Sequence, residues 1–392
     1  MSGTVLKAGF IPLVDAAPLI VAKELGFAQE EGLDLELTSA PSWSTLRDML
    51  AFGQIDAAHM LSPVPVASAI GLLRGLPRLN ALSVLSTNGT VIGVSQTLAA
   101  DMAKHGYPFD FNDAARAGAA LARQPRPIRI GVPFLLSMHA SLISVWLKAT
   151  GLIEETDFQI LAVPPSLMAN AMKNGDLDAF CVGEPWGSLA AEKAGSVLIL
   201  PGTAIWSCAP EKVLAVREDW ANTNPAVTGK LMRAVWRAGE WLAQPGNVTM
   251  AAEIMATKGE LGESADMIDR ALFGRMRIDE QGSIRNAPDF MRFSGYDNGF
   301  PWQSQAAWIA RNLAQRFGLD VATAIKAAHM SFRSDLYRQN LAGLNVDLPL
   351  DSAKIEGAFA EDTAVAAVHG QMILAKNHFF DGQIFDPGKI FA

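Results

Sequence analysis

The sequence predicts an α/β protein of two lobes joined by a hinge, with a helical C-terminal extension. Three observations carry this expectation. Over about the first two hundred residues, short apolar runs alternate with helix-like stretches, the pattern of lobes built on largely parallel sheets. Beyond about residue 222 the pattern turns helical. The chain has 392 residues, half of them apolar and 18% charged, too many for one ordinary core and enough for two or three.

Taken in order, the strand-like runs are 6–11, 33–38, 55–60, 82–85, 128–132, 159–163, 179–182 and 197–200. Helix-like stretches fall between them at 16–25, 44–52, 139–149 and 166–174. In such sheets ligands sit beyond the carboxyl ends of strands, on loops that open helices. Three loops fit that rule. Ser42 precedes Trp43 as a candidate N-cap, residues 133–137 lead into a helix carrying His139, and Pro164-Pro165-Ser166 opens a third helix. Each helix start offers free N–H groups and the positive end of a dipole, a favourable place for an anion.

The later helices are expected over 225–242, 249–257, 264–273 and 303–317. The order of elements suggests one lobe from residues 1–90 and 211–392, including the C-terminal extension, and a second from 91–210. Two crossings between lobes, near 88–92 and 208–215, would form the hinge.

Composition narrows the function. A net charge of −8 disfavours direct nucleic-acid contact and anionic membranes, and no apolar run reaches the length of a membrane span. Cys181 and Cys208 fit no metal or redox motif and read as free thiols, and the six histidines lack metal-ligand spacing. No Walker A loop, nucleophile elbow, zinc-protease helix or dinucleotide fingerprint is present. The expectation is therefore a binding protein, with no catalytic residues, metal or cofactor. The start, Met-Ser-Gly-Thr, carries no basic and apolar leader, which points to a cytoplasmic location, or a periplasmic one if a leader was removed.

Several segments carry a resemblance. They are Gly9-Phe-Ile-Pro-Leu-Val-Asp15, Ser42-Trp43 with Arg47-Asp48, Ile55 to Pro63, Thr87-Asn88-Gly89 and Val163-Pro164-Pro165. Phe180-Cys-Val-Gly-Glu-Pro-Trp186, Pro210-Glu211-Lys212, Phe379-Phe-Asp-Gly382 and Phe385-Asp-Pro387 continue it. Together they resemble the nitrate-binding protein family, solute receptors of bacterial nitrate importers and their bicarbonate-binding cousins. The resemblance implies a type II periplasmic-binding-protein fold. It also implies ligand contacts at Trp43, Thr90, His139 and Lys212, with Asn88, Gly89, Pro165, Glu184 and Trp186 around them. Thr90 departs from the glutamine of the nitrate importer protein resembled, and the loop before His139 is less glycine-rich. His59 lies in a strand-like run and reads as structural.

The donor set suits the implied ligand. Nitrate is a planar monoanion that accepts hydrogen bonds and donates none, so its site needs indole, imidazole, ammonium or backbone N–H groups. Trp43, His139 and Lys212 supply them. Bicarbonate adds one donor, and its receptors place a glutamate where Lys212 stands. Three function classes follow from the resemblance. The first is a cytoplasmic nitrate or nitrite sensor controlling a protein partner, an RNA-binding antiterminator. The second is the receptor of a nitrate ABC importer, with a permease as partner. The third is an enzyme of thiamine-pyrimidine synthesis on the same fold, whose cysteine-rich run is absent here. The sensor is the leading expectation.

Overall fold

Alternation shapes the first strand, β1 (Thr4–Phe10): Leu6, Ala8 and Phe10 are buried while Val5 and Lys7 face solvent. The computed structural model describes residues 3–125, 127–295, 297–344 and 346–390. Met1 and Ser2, on which the expected location rested, lie outside them. β1 pairs in parallel with β2 (Leu33–Ser39) and with β3 (Ala57–Leu61). β3 and the long β4 (Leu79–Asn88) are buried at every position, as strands covered on both faces must be.

The chain then passes through Gly89 into β5 (Thr90–Val94), the first strand of a second sheet. That sheet adds β6 (Ile128–Val132), β7 (Phe158–Ala162), β8 (Ala179–Gly183) and β9 (Val197–Pro201), in the order β7-β6-β8-β5-β9. The return leads into β10 (Pro210–Arg217), which completes the first sheet between β3 and β4. The short strand Met291–Arg292 lies on the outer side of β4.

Both sheets are mixed, where the sequence suggests largely parallel ones. β10 runs antiparallel to β3 and β4, and β5 antiparallel to β8 and β9. β10 and β5 are the two strands entered from the other sheet. A strand reached that way is free of the right-handed crossover that keeps successive strands of one sheet parallel.

The two crossings are stitched together. Asn88 N–H donates to Ala209 O at 2.8 Å, Ala209 N–H to Asn88 Oδ1 at 3.0 Å, and Asn88 Nδ2 to Ser207 O at 3.0 Å. Asn88 and Gly89 both have positive φ, at 62° and 88°. A Cβ on Gly89 would stand 2.8 Å from Met291 Cε, so the turn needs glycine for space as well as conformation.

Two helix starts form as the sequence suggests. Ser42 caps Trp43–Ala51 by accepting from Thr45 N, and Ser137 caps Met138–Ala149 by accepting from Ala140 N. The third does not. Ser166 lies inside a 3-10 turn, Pro165–Leu167, and the helix Met168–Lys173 that follows has no side-chain cap.

The helices Pro225–Leu242 and Gln303–Phe317 have the expected bounds. The C-terminal extension also holds a hairpin, Thr363–Ala367 with Gly370–Leu374, that the small residues of its first strand conceal in the sequence. Beyond it the chain runs along the return crossing: Ser207 N–H donates to His378 O and Phe380 N–H to Ile205 O. Trp206 packs its ring against Trp308 and Phe379, with centroids 4.6 and 4.8 Å away. Cys181 and Cys208 are buried free thiols. No helix among the described residues is long and apolar enough to cross a membrane.

Candidate functional site

The expected site residues lie where the lobes meet. From the first lobe, the helix cap at Ser42 presents Trp43, β3 carries His59, and the 3-10 turn Val14–Ala16 carries Asp15. β10 brings Glu211 and Lys212, with Lys212 opposite Leu61 of β3 and Ser86 of β4. The second lobe supplies His139 at the start of its helix and Cys181 on β8, and Thr90 stands at the crossing, at the start of β5.

These side chains form a buried charged cluster. Lys212 Nζ stands 2.7 Å from Asp15 Oδ2 and 2.9 Å from Glu211 Oε1, and 5.5 Å from the centroid of the Trp43 ring. His59 Nε2 is 2.9 Å from Asp15 Oδ1, and its ring centroid is 5.6 Å from that of Trp43. Across the lobes, His139 Nδ1 lies 3.2 Å from Glu211 Oε1. None of Asp15, His59, His139, Glu211 and Lys212 is more than 1% exposed. The two imidazole contacts are close but poorly aligned for directed hydrogen bonds.

Burial and pairing set the charge states. Burial opposes ionisation of Asp15, but the Lys212 ammonium and His59 outweigh it and hold the carboxyl well below its usual range. Burial likewise opposes the charge on Lys212, yet Asp15 and Glu211 keep its pKa above the ordinary lysine value. Glu211 loses this balance: burial pushes it up to about 7 despite the pull of Lys212, and the negative Asp15 adds to the rise. Burial drives His139 well below its ordinary value, with Lys212 reinforcing the shift, so it is neutral near pH 7. His59 is lowered by burial against the attraction of Asp15.

Several buried polar atoms of the cluster make no hydrogen bond: Trp43 Nε1, Thr90 Oγ1, both ring nitrogens of His139 and Glu211 Oε2. An unsatisfied buried polar group is costly, and such groups concentrated in one place mark a site shaped for a polar guest. No metal-holding group of three His, Cys, Asp or Glu residues occurs among the described residues.

Trp43, His139 and Lys212 come together. Thr90 joins them at one remove, beside the Cys181 thiol, which feels the charges of Glu211 and Lys212. Its short side chain has a local reason: a Cβ on Gly202 would lie 2.1 Å from Thr90 Oγ1, so the hydroxyl fills the space that glycine leaves. Asn88 and Gly89 sit in the crossing and act on the hinge. Pro165 opens its turn after β7, on the edge of the second sheet, and shapes only that loop.

Glu184 and Trp186 tie the lobes together. Glu184 O accepts from Val14 N–H at 2.8 Å, and Trp186 Nε1 donates to Pro12 O at 2.9 Å. Glu184 is itself buried, which pushes its carboxyl up to about 7.

Sequence reasoning treated Lys212 as a free donor and left out its two carboxylates, Asp15 and Glu211. The signal was available: Asp15 closes the first resembling segment, and Glu211 is the middle residue of Pro-Glu-Lys. His59, read as structural, belongs to the cluster through Asp15 and Trp43.

Two mixed α/β lobes, two crossings and a buried polar cluster between them define the ligand receptors of the periplasmic-binding-protein fold. The chain belongs to the NMT1-like family, whose family model matches residues 2–256. It is 31% identical to the nitrate/nitrite binding protein NrtA of Synechococcus elongatus, across 97% of this chain and 83% of that one. Identity with the bicarbonate-binding protein CmpA of a Synechococcus species is 27%, across 97% of this chain and 84% of the relative. Among solved structures, the periplasmic nitrate-binding protein NrtA from Synechocystis PCC 6803 matches with a TM-score of 0.84 at 28% identity, covering 99% of this chain and 97% of that one.

Proposed function

We propose that this chain is the solute receptor of a nitrate ABC importer. It captures nitrate or nitrite between its lobes, releases the anion unchanged, and presents the closed form to a permease. In this reading residues 91–210 make the second lobe, 1–90 and 211–392 the first with its extension, and Trp43, Thr90, His139 and Lys212 contact the ligand.

The observation that carries the reading is the convergence of Trp43 and His139 on the Lys212–Glu211 pair from both lobes, with Trp43 Nε1, the His139 ring nitrogens and Thr90 Oγ1 buried and unpartnered. An acceptor-only anion needs such groups. The NrtA relatives, similar along nearly the whole chain, support the ligand assignment and favour a periplasmic setting. They support the importer receptor over the cytoplasmic sensor with an antiterminator partner, an expectation drawn from the first residues of the chain.

Titration calorimetry with sodium nitrate, nitrite, bicarbonate and sulfate tests the proposal. Four heavy atoms at a ceiling of about −1.5 kcal/mol each put the dissociation constant for nitrate at about tens of micromolar. Absence of nitrate and nitrite binding below about 10 mM, far weaker than a receptor with this donor set requires, would refute it.

A further inference from the structure

We propose that the cleft takes up its monoanion together with one proton, held by the facing pair His139 and Glu211. This rests on the receptor reading above and assigns to Glu211 a role that neither the donor set nor the relatives' names supply.

The argument begins with the charges. Asp15 and Glu211 surround one ammonium, Lys212, and all three are buried. A nitrate seated beside them would add another negative charge to a site that already holds two carboxylates for one cation. Charges removed from water without compensation are strongly disfavoured.

Among the described residues, no other group facing Glu211 supplies the missing positive charge. His139, on the helix packed against β8, is kept neutral by burial and by Lys212. His59 on β3 is turned to Asp15. The Cys181 thiol on β8 is pushed far above its ordinary value by burial, with Glu211 adding to the rise, and stays neutral. Asp15, on its 3-10 turn, is held ionised by Lys212 and His59.

Glu211 can change state. Its Oε1 lies between Lys212 Nζ at 2.9 Å and His139 Nδ1 at 3.2 Å, and its Oε2 has no hydrogen-bond partner. Burial has already lifted its carboxyl to about 7. A nearby anion raises it further, since like charge disfavours the carboxylate. Nitrate and a proton entering together leave the buried charge unchanged, and the protonated carboxyl turns from a repelling acceptor into a donor.

The test uses the full chain and sodium nitrate, with calorimetry at pH 7.5 in buffers of different ionisation heat. Dependence of the measured heat on the buffer counts protons. Wild type is expected to take up most of one proton, and its affinity to weaken about tenfold per pH unit above pH 8, as single-proton linkage requires. Glu211→Gln, a permanent amide, should bind nitrate with no proton uptake and hold it more tightly than wild type at pH 8.5. Should that variant fail to fold, the wild-type proton count and pH profile decide alone. Nitrate binding without proton uptake, at an affinity independent of pH from 6.5 to 8.5, overturns this inference and leaves the receptor reading intact. No nitrate binding at any pH overturns both.

Discussion

Lys212 reaches from β10 to Asp15, 2.7 Å from Nζ to Oδ2, and neither side chain is more than 1% exposed. Such a pair is expensive to bury and more expensive to break, because loss of one partner strands the other's charge. Lys212→Ala is therefore expected to lower stability by about 3–5 kcal/mol in denaturant unfolding. The same change should weaken nitrate by about 10- to 150-fold, the range for a charge-assisted hydrogen bond to a buried anion. Lys173, exposed at the end of its helix, is the control, and its alanine variant should match wild type. Equal unfolding midpoints for Lys212→Ala and wild type would mean that the pair contributes nothing.

Trp43 separates donor from packing. Its ring lies against His59 and Lys212, while its Nε1 has no partner. Trp43→Phe keeps an aromatic ring at the helix start and deletes the N–H together with the second ring that carries it. Nitrate affinity should fall by about 10- to 150-fold, the range for a hydrogen bond to a charged acceptor, and the smaller ring should also lower the melting temperature. Unaltered affinity in calorimetry would place the indole outside the ligand's reach.

Glu184 gives a pH signature to the lobe interface. Its carboxyl sits at about 7 in the fold and near 4.5 when exposed, because burial disfavours the charged form. A raised pKa contributes stability at low pH that is lost as pH climbs from about 4.5 through about 7, at about 1.4 kcal/mol per unit. The buried histidines His59 and His139 act oppositely, since their depressed values favour the fold above about 6.5. The difference between wild type and Glu184→Gln isolates the carboxyl: wild type should lose ground to the variant steadily from pH 5 to 7 in thermal melts. Parallel curves across that window would contradict the assignment.

Asn88 controls the crossings. Its side chain makes three hydrogen bonds, to Ala209 N, Ser207 O and Asp289 O, at a residue whose φ is positive. Asn88→Ala removes all three and places an ordinary side chain in a left-handed conformation. Two losses of about 1 kcal/mol or more each are expected in unfolding experiments, together with looser closure. Small-angle scattering should show a smaller ligand-induced compaction than in wild type.

Much of this fold was legible. β6, Pro225–Leu242 and Gln303–Phe317 emerge at their observed bounds because their apolar pattern is set by burial on known faces. β5 and β10 were missed for a shared reason: each begins at a crossing, after Asn-Gly or at Pro-Glu-Lys, where local signals read as turn. The site was half legible. Trp43, His139 and Lys212 could be placed through resemblance, but the partnership of Lys212 with Asp15 joins residues 197 positions apart. No window of sequence contains it. A lysine with two buried carboxylates looks, along the chain, like a solvated one.

The braid of the return crossing with residues 376–380 makes the tail part of the bearing on which the lobes turn. Ser207 exchanges bonds with His378 and accepts the chain's turn beside Trp206 and Phe379. Stiffness there is set by indole stacking and backbone pairing, in side chains that need never meet the anion. Selection or an engineer could therefore tune residence time from the far end of the chain, leaving the recognition chemistry untouched.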